Sequence, residues 1–317
     1  MRRSLCRESY ASAVTKPLPS PLPVRDAVPP SYAWLPQGQW PNLLSWLVER
    51  FPHLERSVLE ARLARGEIVD EAGRIMSADT PYRPGSRIWY YREVPPETPV
   101  PFAEQVLHRD EHLLVVDKPH FLATVPGGRY LRETLLARLR SKLDLPELTP
   151  IHRLDRETAG LVLFCIHPPS RGKYQALFEQ RTVQKTYEAI APYRADLELP
   201  RVHRSLLQEG SRNGERFFTM QEVAGEPNSE TRIALIEQRG SLAKYRLEPH
   251  TGRKHQLRAH MAALGVPILH DPWYPSVIED KGDDFSQPLQ LLAREIAFVD
   301  PISGETRVFH SQRALDW

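Results

Sequence analysis

One carboxylate lies between two guanidinium groups in the segment HRLDRETAG, residues 152–160. Arg153 and Arg156 are expected to stabilise the charged form of Asp155, because opposite charge nearby favours ionisation. An anionic carboxylate that is held in place is a usable nucleophile or general base. The same pattern is also typical of a loop ion-pair network without a catalytic role, so this segment alone leaves both interpretations open.

The loop that carries Asp155 leads directly into an apolar run. Residues 161–166 read LVLFCI and follow Gly160 without a polar interruption. A run of this length and composition predicts a strand that is buried on both faces. Such a strand would hold the preceding loop, and therefore the carboxylate, in a fixed position.

Further segments place this motif in a wider pattern. They are residues 113–119 (LLVVDKP), 178–189 (FEQRTVQKTYEA), 251–260 (TGRKHQLRAH) and 265–268 (GVPI). Together with residues 152–160, in this order and spacing, they resemble the signature segments of the RluA family of RNA pseudouridine synthases. The resemblance extends from about Glu104 to the C-terminus.

The resemblance implies three catalytic residues. Asp155 stands in the place of the family's essential aspartate, and Arg258 in the place of its basic partner. Tyr187 matches the tyrosine that stacks on the extruded base and takes part in proton transfer at the uracil carbon. The sequence leaves open whether Asp155 attacks the sugar, attacks the base or removes a ribose proton.

A stacked uridine must be flipped out of its helix, at a cost of a few kcal/mol. Arg153 stands where the family places the arginine that enters the RNA stack. Arg253 precedes a predicted helix, whose N-terminal N–H groups favour a phosphate. The predicted RNA-binding residues are Arg153, Arg156, Arg253, Lys254 and Lys185.

No cofactor and no metal are expected. The isomerisation moves a base within one nucleoside, and the sequence contains no dinucleotide glycine fingerprint, P-loop or His-Glu-x-x-His spacing. His255 and His260 are separated by about 140° on a helix and therefore do not share a face. Two positions depart from the family pattern: Ala159 replaces a common serine and His270 a usual glycine, which predicts an altered substrate choice with catalysis retained.

Composition sets the broad class of the protein. The 317 residues correspond to roughly two domains, and the net charge of +2 requires any RNA-binding surface to arise from local clusters such as Arg253, Lys254 and Arg258. Two cysteines, Cys6 and Cys165, provide neither a disulfide framework nor a metal site. A soluble, monomeric protein of the reducing cytoplasm, without a membrane segment, is expected.

The chain divides into four predicted regions. Residues 1–37 are a disordered tail, and residues 38–94 resemble the small αL-motif RNA-binding domain of ribosomal proteins, although a simple packing domain is the alternative. Residues 95–103 are a proline-rich linker. Residues 104–317 form an α+β catalytic domain, for which the resemblance implies a mixed, mostly antiparallel sheet with a central cleft.

The predicted function is conversion of uridine to pseudouridine in structured ribosomal or transfer RNA. A non-catalytic RNA-binding protein or RNA chaperone on the same scaffold is the main alternative. Intact Asp155, Tyr187 and Arg258 favour the enzyme, because RNA phosphates repel a carboxylate. A hydrolytic enzyme is less favoured, since the metal-binding carboxylate pairs that it normally needs are missing.

Overall fold

The structure is a computed structural model that describes residues 20–25, 28–52, 54–92, 96–128, 130–212, 215–278 and 283–317. The chain forms two compact units, residues 1–93 and 94–317. Within the described residues, no helix is both long and apolar enough to cross a membrane.

The smaller unit contains two helices and a three-stranded sheet of order β1-β3-β2. Its core joins one face of the sheet to both helices, with Ile88 of β3 packed against Leu43, Leu47 and Leu59. Asn42 caps the first helix by accepting a hydrogen bond from the Ser45 amide. The elements are β1 (Ser31–Trp34), α1 (Leu43–Arg50), α2 (Arg56–Ala64), β2 (Ile68–Asp70) and β3 (Arg87–Tyr90).

The prediction that residues 1–37 form a disordered tail is wrong at the C-terminal end of this range. Strand β1 pairs antiparallel with β3, and Leu35, directly after it, is buried in the core of the smaller unit. The proline-rich context obscured a short alternating pattern, in which Ala33 faces inward and its neighbours face outward. Residues 1–19 of the predicted tail lie outside the described residues.

The larger unit is built on an 11-stranded sheet of order β10-β9-β11-β12-β8-β13-β7-β5-β4, with β6 and β14 attached to β7 and β13. Its elements are β4 (Gln105–Arg109), β5 (Leu113–Lys118), α3 (Leu135–Leu143), β6 (Thr149–Pro150), β7 (Ala159–Cys165), α4 (Arg171–Glu179), β8 (Gln184–Pro192), β9 (Arg201–Arg212), β10 (Glu215–Val223), β11 (Ser229–Arg239), β12 (Leu242–Pro249), α5 (Gln256–Ala263), β13 (Leu291–Val299) and β14 (Thr306–His310).

The α+β prediction is confirmed. Strands β7 and β13 pair in parallel at the centre of the sheet, and the other strand pairings described for the sheet are antiparallel. Every residue of β7 is buried, as its apolar sequence predicts. Separate clusters of apolar side chains cover the two sides of this strand, one around Phe164 and the other around Leu163.

The predicted linker is part of the larger unit from Glu97 onward. The Glu97 carboxylate accepts hydrogen bonds from the backbone amides of residues 131–133. Val100 is buried in the core that includes Leu135. Helix α3 begins at Leu135, directly after the capping residue Thr134, whose side chain accepts a hydrogen bond from the Ala137 amide.

Candidate active site

Two buried side chains, those of Lys118 and Thr124, hold the loop that carries Asp155 in place. The Lys118 Nζ donates to the carbonyls of Pro119, Leu122 and Arg156. The Thr124 hydroxyl donates to the Leu154 carbonyl at 2.8 Å and accepts from the Leu154 amide at 3.1 Å. The backbone on both sides of Asp155 is therefore held by hydrogen bonds within the protein.

Gly160 is required where this loop enters the sheet. Its φ is +111°, a backbone conformation that side chains rarely adopt. A Cβ atom at this position would lie 2.3 Å from the Ala293 carbonyl oxygen on β13. Glycine thus permits the close parallel pairing of β7 with β13 directly after the Asp155 loop.

A cavity of about 690 Å³ opens above the central strands. Most of its lining comes from three stretches that are distant in sequence: the Asp155 loop, residues 178–187 up to the start of β8, and residues 249–258 between β12 and α5; Leu291 of β13 completes it. A cavity of this size accommodates a nucleoside. The resemblance placed a cleft across the middle of the sheet, and this cavity lies there.

Arg258 connects two carboxylates at the floor of the cavity. Its Nε and Nη2 donate to the two oxygens of Asp271 at 2.8 and 2.6 Å, and its Nη1 lies 3.4 Å from the Asp155 carboxylate. Arg258 is 1% and Asp271 0% exposed, whereas Asp155 is 24% exposed. The buried pair therefore directs positive charge at a carboxylate that substrate can reach.

Aromatic side chains cover the same guanidinium. The Trp273 ring lies 4.3 Å and the Tyr274 ring 5.4 Å from the Arg258 guanidinium carbon, which favours its charged form by cation–π attraction. Asp271 also accepts hydrogen bonds from the backbone amides of both aromatic residues. Hydrogen bonds within residues 271–274 therefore hold this segment in place around the Arg258 guanidinium.

Tyr187 lies on β8, opposite Leu247 of β12 and Ala293 of β13, and lines the cavity. Burial, reinforced by the negative charge of Asp155, raises the pKa of its phenol well above the usual value. The phenol is therefore neutral at physiological pH and is a proton donor in the resting site.

Two histidines beside the cavity are held neutral. Burial, with a smaller effect of Lys185, lowers the pKa of His152 to about 3, and its Nε2 accepts a hydrogen bond from the Leu163 amide. Burial lowers the pKa of His255 to about 4, and this ring contacts the Tyr274 hydroxyl at 3.1 Å. Both rings support the cavity wall without adding charge to it.

Four of the five predicted RNA-binding residues line the cavity: Arg153, Lys185, Arg253 and Lys254. Arg253 and Lys254 precede α5, which begins at Gln256, directly after His255, whose backbone adopts the left-handed conformation. These side chains give the cavity a positively charged rim, which suits a polyanionic substrate.

The structure does not bring Arg156 to the cavity. Its guanidinium pairs with Glu157 at 2.5 Å and lies 4.8 Å from the centre of the Tyr130 ring. Among the described contacts of Asp155, the ion pair is with Arg258, so the expectation that Arg153 and Arg156 hold its charge is wrong. Sequence adjacency misled here because neighbouring side chains on the loop point in different directions.

Several residues of the site were not selected from the sequence. Asp271 and Tyr274 follow His270, the position at which the sequence departs from the family pattern. Lys118 lies in the marked segment LLVVDKP, where a lysine at the end of an apolar strand was the available signal. Thr124 has no such signal in the sequence.

A group of possible metal ligands lies away from this cavity. The ligand atoms of His203, Glu222 and His260 are within 4.8 Å of one another. His203 contacts Glu222 at 2.7 Å, and His260 contacts the hydroxyls of Ser229 and Thr231. These contacts make the group part of a hydrogen-bond network between β9, β10, β11 and α5. The expectation that the protein binds no metal stays a prediction.

Comparisons with known proteins give the same assignment for the larger unit. Residues 112–263 match the family model described as RNA pseudouridylate synthase. The chain is 31% identical to the dual-specificity RNA pseudouridine synthase RluA of Haemophilus influenzae over 65% of this chain and 92% of the relative. It is 32% identical to the protein of the same description from Pasteurella multocida over 66% and 93% of the two chains.

A solved structure shares the fold. The human RNA pseudouridylate synthase domain containing 1 aligns with a TM-score of 0.54 at 24% identity, over 67% of this chain and 84% of that one. The bacterial relatives from Haemophilus influenzae and Pasteurella multocida are each covered over more than nine tenths of their length. The chain therefore belongs to the RluA family of RNA pseudouridine synthases, enzymes that isomerise uridine to pseudouridine in RNA.

Proposed function

We propose that Asp155 is the essential catalytic group and that the cavity around it binds the flipped-out uridine. The observation that carries this proposal is the ion pair with Arg258 at 3.4 Å, which holds a partly exposed carboxylate at the floor of a nucleoside-sized cavity. A carboxylate in this position faces a buried guanidinium and is available to the substrate.

The reaction needs only groups that the cavity contains. The bond from N1 of uracil to C1′ of the ribose breaks, a bond from C5 to C1′ forms, and the C5 proton is replaced by one at N1. Asp155 supplies the anion for the steps at the nucleoside. Tyr187 supports the base by stacking, and its neutral phenol exchanges a proton with the uracil.

We assign RNA binding at this site to the basic rim. Arg253 and Lys254 are exposed beside the cavity mouth and are placed to contact phosphates. Arg153 is exposed on the Asp155 loop and is placed to fill the gap that the flipped uridine leaves. Lys185 lies deeper, where burial and Arg181 lower its pKa, and it contacts the nucleotide nearest the target.

The substrates are proposed to be ribosomal or transfer RNA, because curated relatives carry the description dual-specificity RNA pseudouridine synthase. The smaller unit, which contains residues 38–94, is proposed to bind the same RNA. The enzyme is proposed to act in the cytoplasm as a monomer without a metal ion. The buried free thiol of Cys165 is compatible with a reducing compartment.

Mapping pseudouridine across all cellular RNAs, in cells with and without the gene, tests the substrate proposal. We expect one or a few uridines in ribosomal or transfer RNA to lose the modification without the gene and to regain it with a plasmid copy. An unchanged map of both RNA classes, or changes confined to messenger RNA, would contradict the proposal.

A further inference from the structure

The smaller unit exposes two large aromatic side chains on the outer face of its sheet. Tyr32 is 52% and Trp34 55% exposed, although both belong to a paired strand. The opposite face, with Ala33 and Ile88, packs against the helices of the unit. Contiguous exposed apolar side chains, in contrast to singly scattered ones, are typical of interaction sites.

The strand register places these rings in one group. Tyr32 lies directly opposite Trp89 of β3, and Trp34 lies opposite Arg87. The Tyr32 and Trp89 ring centres are 5.1 Å apart. The four side chains therefore form one surface, which we call the aromatic face: Tyr32, Trp34, Arg87 and Trp89.

Arg87 lies beneath the exposed rings and orders them. Its guanidinium carbon is 5.2 Å from the Tyr32 ring, 5.0 Å from the Trp34 ring and 4.8 Å from the Trp89 ring. Arg87 is 6% exposed, and its charge is balanced by Glu71 at 3.4 Å. Rings fixed in advance by a buried cation lose little conformational entropy when a flat ligand stacks on them.

The chemistry of the aromatic face selects the ligand. Because the charge of Arg87 is buried and paired, the exposed part of the face presents π surfaces instead of free cations, which suits a base better than a phosphate. Unpaired bases stack on aromatic and arginine planes, whereas bases inside a duplex have no free face. In addition, the indole Nε1 of Trp89 is buried without a hydrogen-bond partner among the described residues.

We propose that the aromatic face is a stacking platform for unpaired RNA bases outside the target site. The inference rests on the proposal that the smaller unit binds RNA, and it assigns that binding to the sheet and not to the helices. The platform would hold single-stranded RNA next to the structured substrate without reading its sequence, since every base has a π face.

Fluorescence anisotropy with a labelled 12-nucleotide oligo(A) tests this directly on the full chain. Tyr32→Ala and Trp34→Ala should each weaken binding by about tenfold, in line with the loss of one base stack. The slope of log affinity against log salt should stay the same, because no phosphate contact is removed. Ile75→Ala, which shortens a side chain that is 70% exposed in the same unit, should leave the affinity unchanged.

An abasic oligomer of the same length separates stacking from other effects. Its affinity should be the same for the wild type and both variants, because it carries phosphates without bases. Unchanged oligo(A) affinity in both variants would overturn the platform, and an equal loss on the abasic oligomer would show that the rings do not act by stacking. Pseudouridine formation at saturating RNA should persist in both variants, because the aromatic face is proposed to bind RNA outside the target site; loss of turnover at saturating RNA would contradict a role confined to binding.

Discussion

Asp155 and Asp271 are joined by a single buried guanidinium. Arg258 gives Nε and Nη2 to Asp271 and Nη1 to Asp155, although Asp155 is 103 residues away in sequence. The fully buried Asp271 neutralises and orients the arginine, so that Asp155 can remain partly exposed. Asp271 is therefore a positioning residue for the catalytic carboxylate.

Asp271→Asn should destabilise the protein and slow the chemical step. The substitution leaves Arg258 buried with only Asp155 as a counterion, and breaking a buried pair in this way costs about 3 kcal/mol. Urea denaturation should show this loss, and kcat should fall more than KM rises. Asp196→Asn, which removes one partner of the exposed pair with Arg194, is the matched control and should change neither. Wild-type stability for Asp271→Asn would contradict the positioning role.

Asp155, Tyr187 and Arg258 could be chosen from the sequence because they lie in segments of recognisable order and spacing. The partner of Asp155 could not be derived from neighbouring residues, since Arg156 turns away to Glu157 and the contact comes from α5. The buried strand β7 followed from its apolar run. Strand β1 was missed because four residues among prolines carry too little pattern to outweigh the surrounding composition.

Arg253→Ala and Arg258→Lys should have separable effects. Arg253 is exposed at the rim, so its loss should weaken RNA binding and reduce the slope of log affinity against log salt by about one. Arg258→Lys keeps the charge but replaces a fork that serves two carboxylates with one ammonium, so the single-turnover rate should fall with little change in the salt slope. Arg232→Ala, at an exposed site on β11, is the control for Arg253. The same rate and slope in both variants would show that this division is wrong.

Stability should decline as the pH falls from about 6.5 towards 4. Burial lowers the pKa of His260 to about 4; the nearby charge of His203 lowers it further, whereas the charge of Glu222 opposes the shift. Burial also lowers the pKa of His255 to about 4. Between these values and the unfolded value of about 6.5, the unfolded chain binds more protons, so stability rises with pH.

Urea denaturation at pH 7 and pH 5 measures this effect. Each such histidine should contribute a loss of about 1 to 2 kcal/mol on acidification. His260→Gln should reduce the difference between the two pH values, whereas His310→Gln, at a side chain that is 61% exposed, should leave it near that of the wild type. Equal pH dependence in the wild type and His260→Gln would contradict the role of this buried ring.

A chain that begins at residue 96 should fold and retain turnover. The larger unit contains its own core, and Glu97 and Val100 are anchored in it, so a truncation after residue 100 would remove structural contacts. Affinity for the substrate identified by pseudouridine mapping should fall, while kcat at saturating RNA should persist. Unchanged affinity would show that the smaller unit does not bind this RNA, and a truncated chain that cannot fold would favour a packing role for it.

Asp155→Asn tests most directly whether Asp155 performs the chemistry. The substitution keeps the shape of the side chain and removes its charge. Release of tritium from RNA that carries C5-labelled uridine should fall below about 1% of the wild-type single-turnover rate, while RNA affinity stays within a few fold. Turnover well above this level, with normal RNA binding, would contradict the assignment of Asp155 as the essential catalytic group.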